Sequence, residues 1–270
     1  MPSLFAGTDE LICSALGIQR RKQLGHRSLR LAALSDEAAA SLVNGLYERL
    51  ADNVPPRIVA QSRMLWTCRH ATRIADRNES PETLLEKAVA RLAKHDHMPG
   101  WFNQCPVATG IVSSHSDGRR AVDLVHLSGD TARLIELKWA SDSPVHALLQ
   151  VLEYGLAYVV ARLRMADLGL VQRPLMQVGH VGLEVVGPRA FFEDDRHSEP
   201  LFVVIDRALC AFARERSSGA WSMSLEARAF PVAFDIPFDD GSEVNAECRT
   251  DELTCRGRMV RDAFYRLEPV

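Results

Sequence analysis

Lysine is scarce in this chain: of 32 basic residues only four are lysine, at positions 22, 87, 94 and 138. Arginine carries the ordinary surface charge, so a lysine inside an apolar strand invites a chemical explanation. The glycine patterns G-x-x-x-x-G-K-[ST] and G-x-G-x-x-G are absent, which leaves a P-loop or a dinucleotide-binding fold without support. The six cysteines, at 13, 68, 105, 210, 248 and 255, include no C-x-x-C pair and none sits among closely spaced histidines. Neither a structural zinc site nor a disulfide framework is indicated, and buried or neutral thiols are expected. No apolar run approaches the roughly 18 to 20 residues that span a bilayer, and no membrane partner is expected. The start of the chain, with Asp9 and Glu10 beside the short apolar stretch from Leu11 to Ile18, has the wrong shape for a secretion signal. Cytoplasm is the expected location.

Net charge is -3, which excludes a protein basic over its whole surface but leaves room for one local basic groove. The 270 residues, 47% of them hydrophobic and 25% charged, suffice for one large domain or a core with a helical appendage. Residues 1–78 read as a helical, arginine-rich region, with a helix from Asp36 to Leu50 placing Ala39, Leu42, Val43 and Leu46 on one face. Two acid-poor stretches lie here. One holds Arg20, Arg21, Lys22, His26, Arg27 and Arg30; the other holds Arg57, Arg63, Arg69, His70, Arg73 and Arg77 against Asp76 alone. A solvated arginine face and a phosphate-contacting surface are both open readings.

Residues 79–215 read as a mixed α/β (α+β) core. Ser80-Pro81 marks a helix start, with Ser as N-cap, Pro at the first helical position and Glu82 in the first turn, and the helix runs to about Lys94. Strands are expected at Phe102–Thr109, Arg119–Leu127 and Thr131–Trp139, the last two forming an antiparallel hairpin across Ser128-Gly129-Asp130. The Ser- and Gly-rich stretch from Gly110 to Gly118 reads as a turn. A buried helix from Val145 to Arg164 and a strand from Val178 to Gly187 follow. Leu201–Arg214 reads as a strand that ends as a helix. Residues 216–270 complete the core with a strand at Trp221–Phe234, an acidic loop at Asp235–Glu247 and a basic amphipathic helix at Asp251–Leu267. Together these describe a mixed sheet flanked by helices.

Side chains alternate along a strand, so Glu136 and Lys138 share one face while Leu137 points away, and Asp123 on the neighbouring strand can lie across from them. Two carboxylates close together in an apolar sheet repel each other, and burial raises the cost of charging both. A divalent cation with oxygen ligands resolves that conflict, and Mg²⁺ suits one or two carboxylates plus waters and phosphate oxygens. An ordinary salt bridge on a strand face remains the alternative for any isolated Glu-x-Lys.

The surrounding residues resemble the PD-(D/E)xK nuclease superfamily: a helical Glu (Glu82 or Glu86, with Glu86 favoured because it lies deeper in its helix), Val122-Asp123, Glu136-Leu137-Lys138, then a helix with Gln150-Val151-Leu152-Glu153-Tyr154, similar to the Q-x-x-x-Y element of RecB-like members. The resemblance covers residues 79–190, and Val122 stands where the family's name has Pro. It implies a restriction-endonuclease-like fold. It also implies Mg²⁺ (or Mn²⁺) held by Asp123, Glu136, the Leu137 carbonyl and Glu86, with Lys138 positioning water and Gln150 and Tyr154 reaching water or phosphate. The implied activity is phosphodiester hydrolysis, in DNA ahead of RNA, which stays open as a substrate, in restriction, repair or defence, with a homodimer or a partner protein compatible with it. The alternative from another class is a non-catalytic nucleic-acid-binding or assembly module on the same fold.

Elsewhere, His95-Asp96-His97 reads as a solvated helix end rather than a metal pair, and His126 as a packed histidine on the face opposite Asp123. Ser113-Ser114-His115 lacks a nucleophile setting. Trp66 and Trp101 read as core or edge residues, with base stacking by Trp101 beside Phe102 as the alternative.

Overall fold

The computed structural model describes residues 3–25, 31, 33–55, 64–72, 80–108, 120–139, 142–193, 198–234, 248–249, 252–253 and 255–270. His26, Arg27, Arg30, Arg57, Arg63, Arg73, Asp76 and Arg77, the turn with Ser113-Ser114-His115, and the acidic loop at 235–247 lie outside them.

Three of the described helices start where serine caps them. Ser35, Ser80 and Ser143 each accept a hydrogen bond from the backbone N–H three residues on, opening α2 (Asp36–Asn53), α3 (Pro81–Lys94) and α4 (Pro144–Leu163). Proline at the first position of α3 and of α4 loses no helical bond there. A shorter helix, α1 (Thr8–Leu16), precedes them.

The sheet is mixed and has six strands: β1 (Trp101–Pro106), β2 (Ala121–Ser128), β3 (Thr131–Leu137), β4 (His180–Gly187), β5 (Ser222–Ala229) and β8 (Glu268–Pro269), in that spatial order. β1, β2 and β3 form an antiparallel meander, β3, β4 and β5 run parallel, and β8 closes the edge antiparallel to β5. β6 (Cys248–Arg249) and β7 (Glu252–Leu253) make a separate small pair. The expected hairpin is present, with Ser128 opposite Thr131 across a two-residue loop. Gly129 there takes φ 56, which a side chain would resist.

Each parallel step crosses over through a helix. α4 joins β3 to β4, and α6 (Ser198–Arg216), after the short α5 (Arg189–Glu193), joins β4 to β5. α4 and α6 pack on the sheet, α2 packs on both, and α1 packs on α2, all within one apolar core. α3 and α7 (Cys255–Tyr265) cover part of the opposite face, around Trp101, Leu124, Ile135, Leu137 and Phe230.

Three expectations change. Residues 201–214 contain no strand: Leu201, Ile205, Ala208, Leu209 and Phe212 form the buried stripe of one helix, and packing against β5 overrides the β-branched run Val203-Val204-Ile205. The strand expected to reach Phe234 stops at Ala229, before Pro231. The C-terminal helix is shorter at both ends: its expected first residues hold strand β7, and it stops at Tyr265, before β8. In addition, α4 is long and apolar enough to cross a membrane on length and mean hydropathy (1.3), contrary to expectation, but 89% of that stretch is buried inside the fold. Its apolar surface is taken up by the protein core.

Candidate functional site

The ladder between β2 and β3 ends at Leu124 opposite Ile135. One step further, Asp123 and Glu136 would face each other, but there the side chain replaces the backbone: the Asp123 carboxylate accepts a hydrogen bond from the Leu137 N–H at 2.9 Å. The Lys138 N–H bonds instead to the Val186 carbonyl of β4 (2.9 Å). The strands therefore part at this point and leave room between them for side chains.

Glu136 is 1% exposed. The Lys138 ammonium lies 2.9 Å from Glu136 Oε1 and 3.9 Å from Asp142 Oδ2. The other oxygen, Glu136 Oε2, is buried without a hydrogen-bond partner among the described residues. Burial, then the Asp123 charge, pushes the Glu136 carboxyl up to about 8 despite Lys138. Asp123, half-buried, is also raised, by burial first, against the opposing pull of Lys138 and the Leu137 N–H. Burial works against the Lys138 charge, but Glu136 and Asp123 outweigh it and hold the ammonium above its ordinary pKa. Lys138 is thus firmly protonated.

α3 delivers two acids to this place. Glu82 Oε1 accepts from the Trp139 N–H (2.9 Å), fixing the chain just beyond Lys138. Glu86 is 4% exposed, and its Oε1 accepts from the Gln104 amide at 2.7 Å and from the Asn103 amide at 3.4 Å. Burial, then Asp123, pushes Glu86 up to about 8. Glu86 is the more buried of the two and feels Asp123 and Glu136, while the Glu82 charge, besides its bond to the Trp139 N–H, also raises Asp123.

On α4, Gln150 and Tyr154 share a face, with the Gln150 amide 3.3 Å from the Tyr154 hydroxyl. Burial first, then Glu136 and Asp123, raises the Tyr154 hydroxyl, which stays protonated. Both residues line a cleft of about 330 Å³ with Arg21, Arg120 and His146. Arg21, from the basic N-terminal stretch, is committed internally: it bonds buried Glu153 at 2.6 Å and Asp9 at 3.1 Å.

No family model, curated protein or solved structure matches this chain.

Three mutually repelling carboxyls, Glu86, Asp123 and Glu136, each hold protons longer than a free carboxyl does. A proton relieves that repulsion, and so does a small cation with oxygen ligands. The orphaned Glu136 Oε2 and the hard-oxygen donor set fit Mg²⁺. Among the described residues no group of three or more His, Cys, Asp or Glu side chains is gathered as a ready-made metal cage. That holds for His95-Asp96-His97 as well. A site of two carboxylates completed by backbone, water and phosphate has no such cage to show.

Sequence reasoning missed Gln104, Asn103, Asp142 and His146. Gln104 adopts φ 50 within β1, and this bend swings its amide onto Glu86. The adjacent polar pair Asn103-Gln104 in an otherwise apolar strand was the available signal. Asp142, at φ 65, lies 3.2 Å from His146 Nδ1, and His146 is one helical turn before Gln150. Trp101 is fully buried, with its ring 4.5 Å from His126 and nearly parallel to it, so it is not placed to stack on a base. Trp66 is fully buried too. His126 is pushed down to about 4 by burial and by Arg133.

Proposed function

We propose that this chain is a metal-dependent nuclease that hydrolyses phosphodiester bonds, in DNA rather than RNA, on a restriction-endonuclease-like core in the cytoplasm. The observation that carries the reading is the carboxylate pair of half-buried Asp123 and buried Glu136 beside Lys138, with Glu136 Oε2 lacking a hydrogen-bond partner among the described residues. A structural salt bridge needs one carboxylate for one ammonium; here several acids crowd one lysine. The element order helix, strand, strand, strand, helix, strand over residues 81–187 also agrees with the PD-(D/E)xK resemblance.

Asp123, Glu136 and the Leu137 carbonyl would hold Mg²⁺, and Glu86, which is not gathered with them into one cage among the described residues, would act through a water on the ion. When bound, the ion supplies charge that offsets the developing negative charge on the attacking and leaving oxygens. Lys138, held protonated, orients water and stabilises charge on the phosphoryl oxygens rather than removing a proton. The Tyr154 hydroxyl and Gln150 amide face the neighbouring cleft as hydrogen-bond groups for phosphate or water. Glu82 keeps the chain around Lys138 in place through the Trp139 N–H.

The test incubates the protein with supercoiled plasmid, linear duplex and single-stranded DNA in Mg²⁺, Mn²⁺ or EDTA, beside Lys138→Ala. Metal-dependent cutting that Lys138→Ala loses while keeping its fold is the expected result. No cutting, with no rise in melting temperature on adding either metal, would overturn the reading in favour of a metal-free structural role for these charged residues.

A further inference from the structure

Two thiols meet outside the carboxylate site. Residues 66–71 run antiparallel along the free edge of β1: the Trp66 N–H donates to the Pro106 carbonyl (2.9 Å) and the Asn103 N–H to the Arg69 carbonyl (3.1 Å). The Asn103 side chain adds two bonds to the Ala71 backbone, at 2.7 and 2.9 Å. This pairing sets Cys68 beside Cys105, and both pack into the same core on one side of the sheet. Cys105 is buried in the main core, while Cys68 packs against the same core and is only half-buried. A reagent from solution therefore reaches Cys68 first, with Cys105 directly behind it.

We propose that Cys68 and Cys105 form a dithiol redox site, which a hydroperoxide oxidises to an intramolecular disulfide. The Cys68 thiolate attacks a peroxide oxygen, the O–O bond breaks, and the departing oxygen leaves as an alcohol or water after taking up a proton. Cys68 becomes a sulfenic acid. The Cys105 sulfur then attacks the Cys68 sulfur, the S–O bond breaks, and hydroxide leaves as water with the Cys105 proton. The peroxide gains the two electrons that the two thiols lose.

The thiols are unequal in the sense this order needs. The neighbouring Cys105 side chain pulls the Cys68 thiol below its ordinary range against the effect of burial, and Arg173 assists. Cys68, then burial, pushes Cys105 well above it. Cys105 directly follows Gln104, whose amide holds Glu86, so a new bond at Cys105 pulls on a neighbour of the carboxylate site. The thiol chemistry itself does not depend on the nuclease reading.

The experiment treats the full chain with hydrogen peroxide, blocks remaining thiols with an alkylating agent, and maps the proteolytic peptides by mass spectrometry with and without dithiothreitol. The expected product is a dithiothreitol-sensitive peptide pair joining Cys68 to Cys105, absent in Cys68→Ser. In Cys105→Ser, the Cys68 sulfenic acid should persist and be trapped by dimedone. Alkylation of both cysteines after peroxide, or linkage of Cys68 to a different cysteine, overturns the proposal. Because Cys68 is half-buried, Cys68→Ser keeps the test valid even if the core substitution at Cys105 does not fold.

Discussion

Replacing Glu136 with Gln should stabilise the metal-free protein at alkaline pH while abolishing its proposed activity. In the folded state the Glu136 carboxyl is pushed from 4.5 up to about 8. A carboxyl raised in this way binds a proton in the folded state that it has already lost in the unfolded one. Its favourable contribution is therefore complete below pH about 4.5 and is lost as pH rises through about 8. For one such group, the linkage relation gives a loss of about 3 kcal/mol between pH 6 and pH 9. Glu86 has the same displacement and the same partner, Asp123, but the group titrates as a set, so the losses do not simply add. The glutamine side chain keeps the size and can still offer an oxygen to Lys138 while removing one of the repelling charges. The variant should lose only about half as much stability over that range, and at pH 9 it should exceed the parent by on the order of 1–2 kcal/mol. Denaturant unfolding at pH 6, 7.5 and 9 in EDTA measures this directly. A parent whose stability does not fall between pH 6 and 9, or a Glu136→Gln protein that is the less stable at pH 9, would refute the electrostatic account. Saturating Mg²⁺ should reverse the order, since the ion favours the parent's charges and the variant has lost one ligand.

Gln104→Gly removes both the left-handed strain at φ 50 and the amide that lowers the Glu86 carboxyl. Stability should stay within about 1 kcal/mol of the parent because relief of strain offsets the lost hydrogen bond. The rising limb of the cleavage pH profile should move to higher pH, and an unmoved profile would separate Gln104 from the chemistry. Gly187→Ala places a Cβ 2.7 Å from the Lys138 carbonyl oxygen, a backbone atom that can yield only by moving the strand. The expected result is a destabilisation of about 1–3 kcal/mol with reduced cleavage; parent-like activity at a lowered melting temperature would show that Lys138 tolerates the displacement.

The sequence alone determined the local structure around the site. Ser-Pro pairs at 80–81 and 143–144 announced two helices because capping and a fixed φ act within one turn of the residues concerned. Alternation placed Glu136 and Lys138 on one strand face, and Gly129 allowed the tight turn that brings β2 back beside β3. These are effects of near neighbours, and near neighbours are visible in sequence. Tertiary structure decided the rest. Whether Glu136 is buried depends on α4 crossing over its face of the sheet, and whether residues 201–214 become helix depends on the partner they pack against. Asp123 capping the Leu137 N–H, and Gln104 turning to hold Glu86, join residues 14 and 18 positions apart in sequence that only the folded sheet brings together. The meeting of Cys68 with Cys105 has the same origin. Burial and long-range proximity set the energies of these groups, and neither is a property of any short stretch of chain.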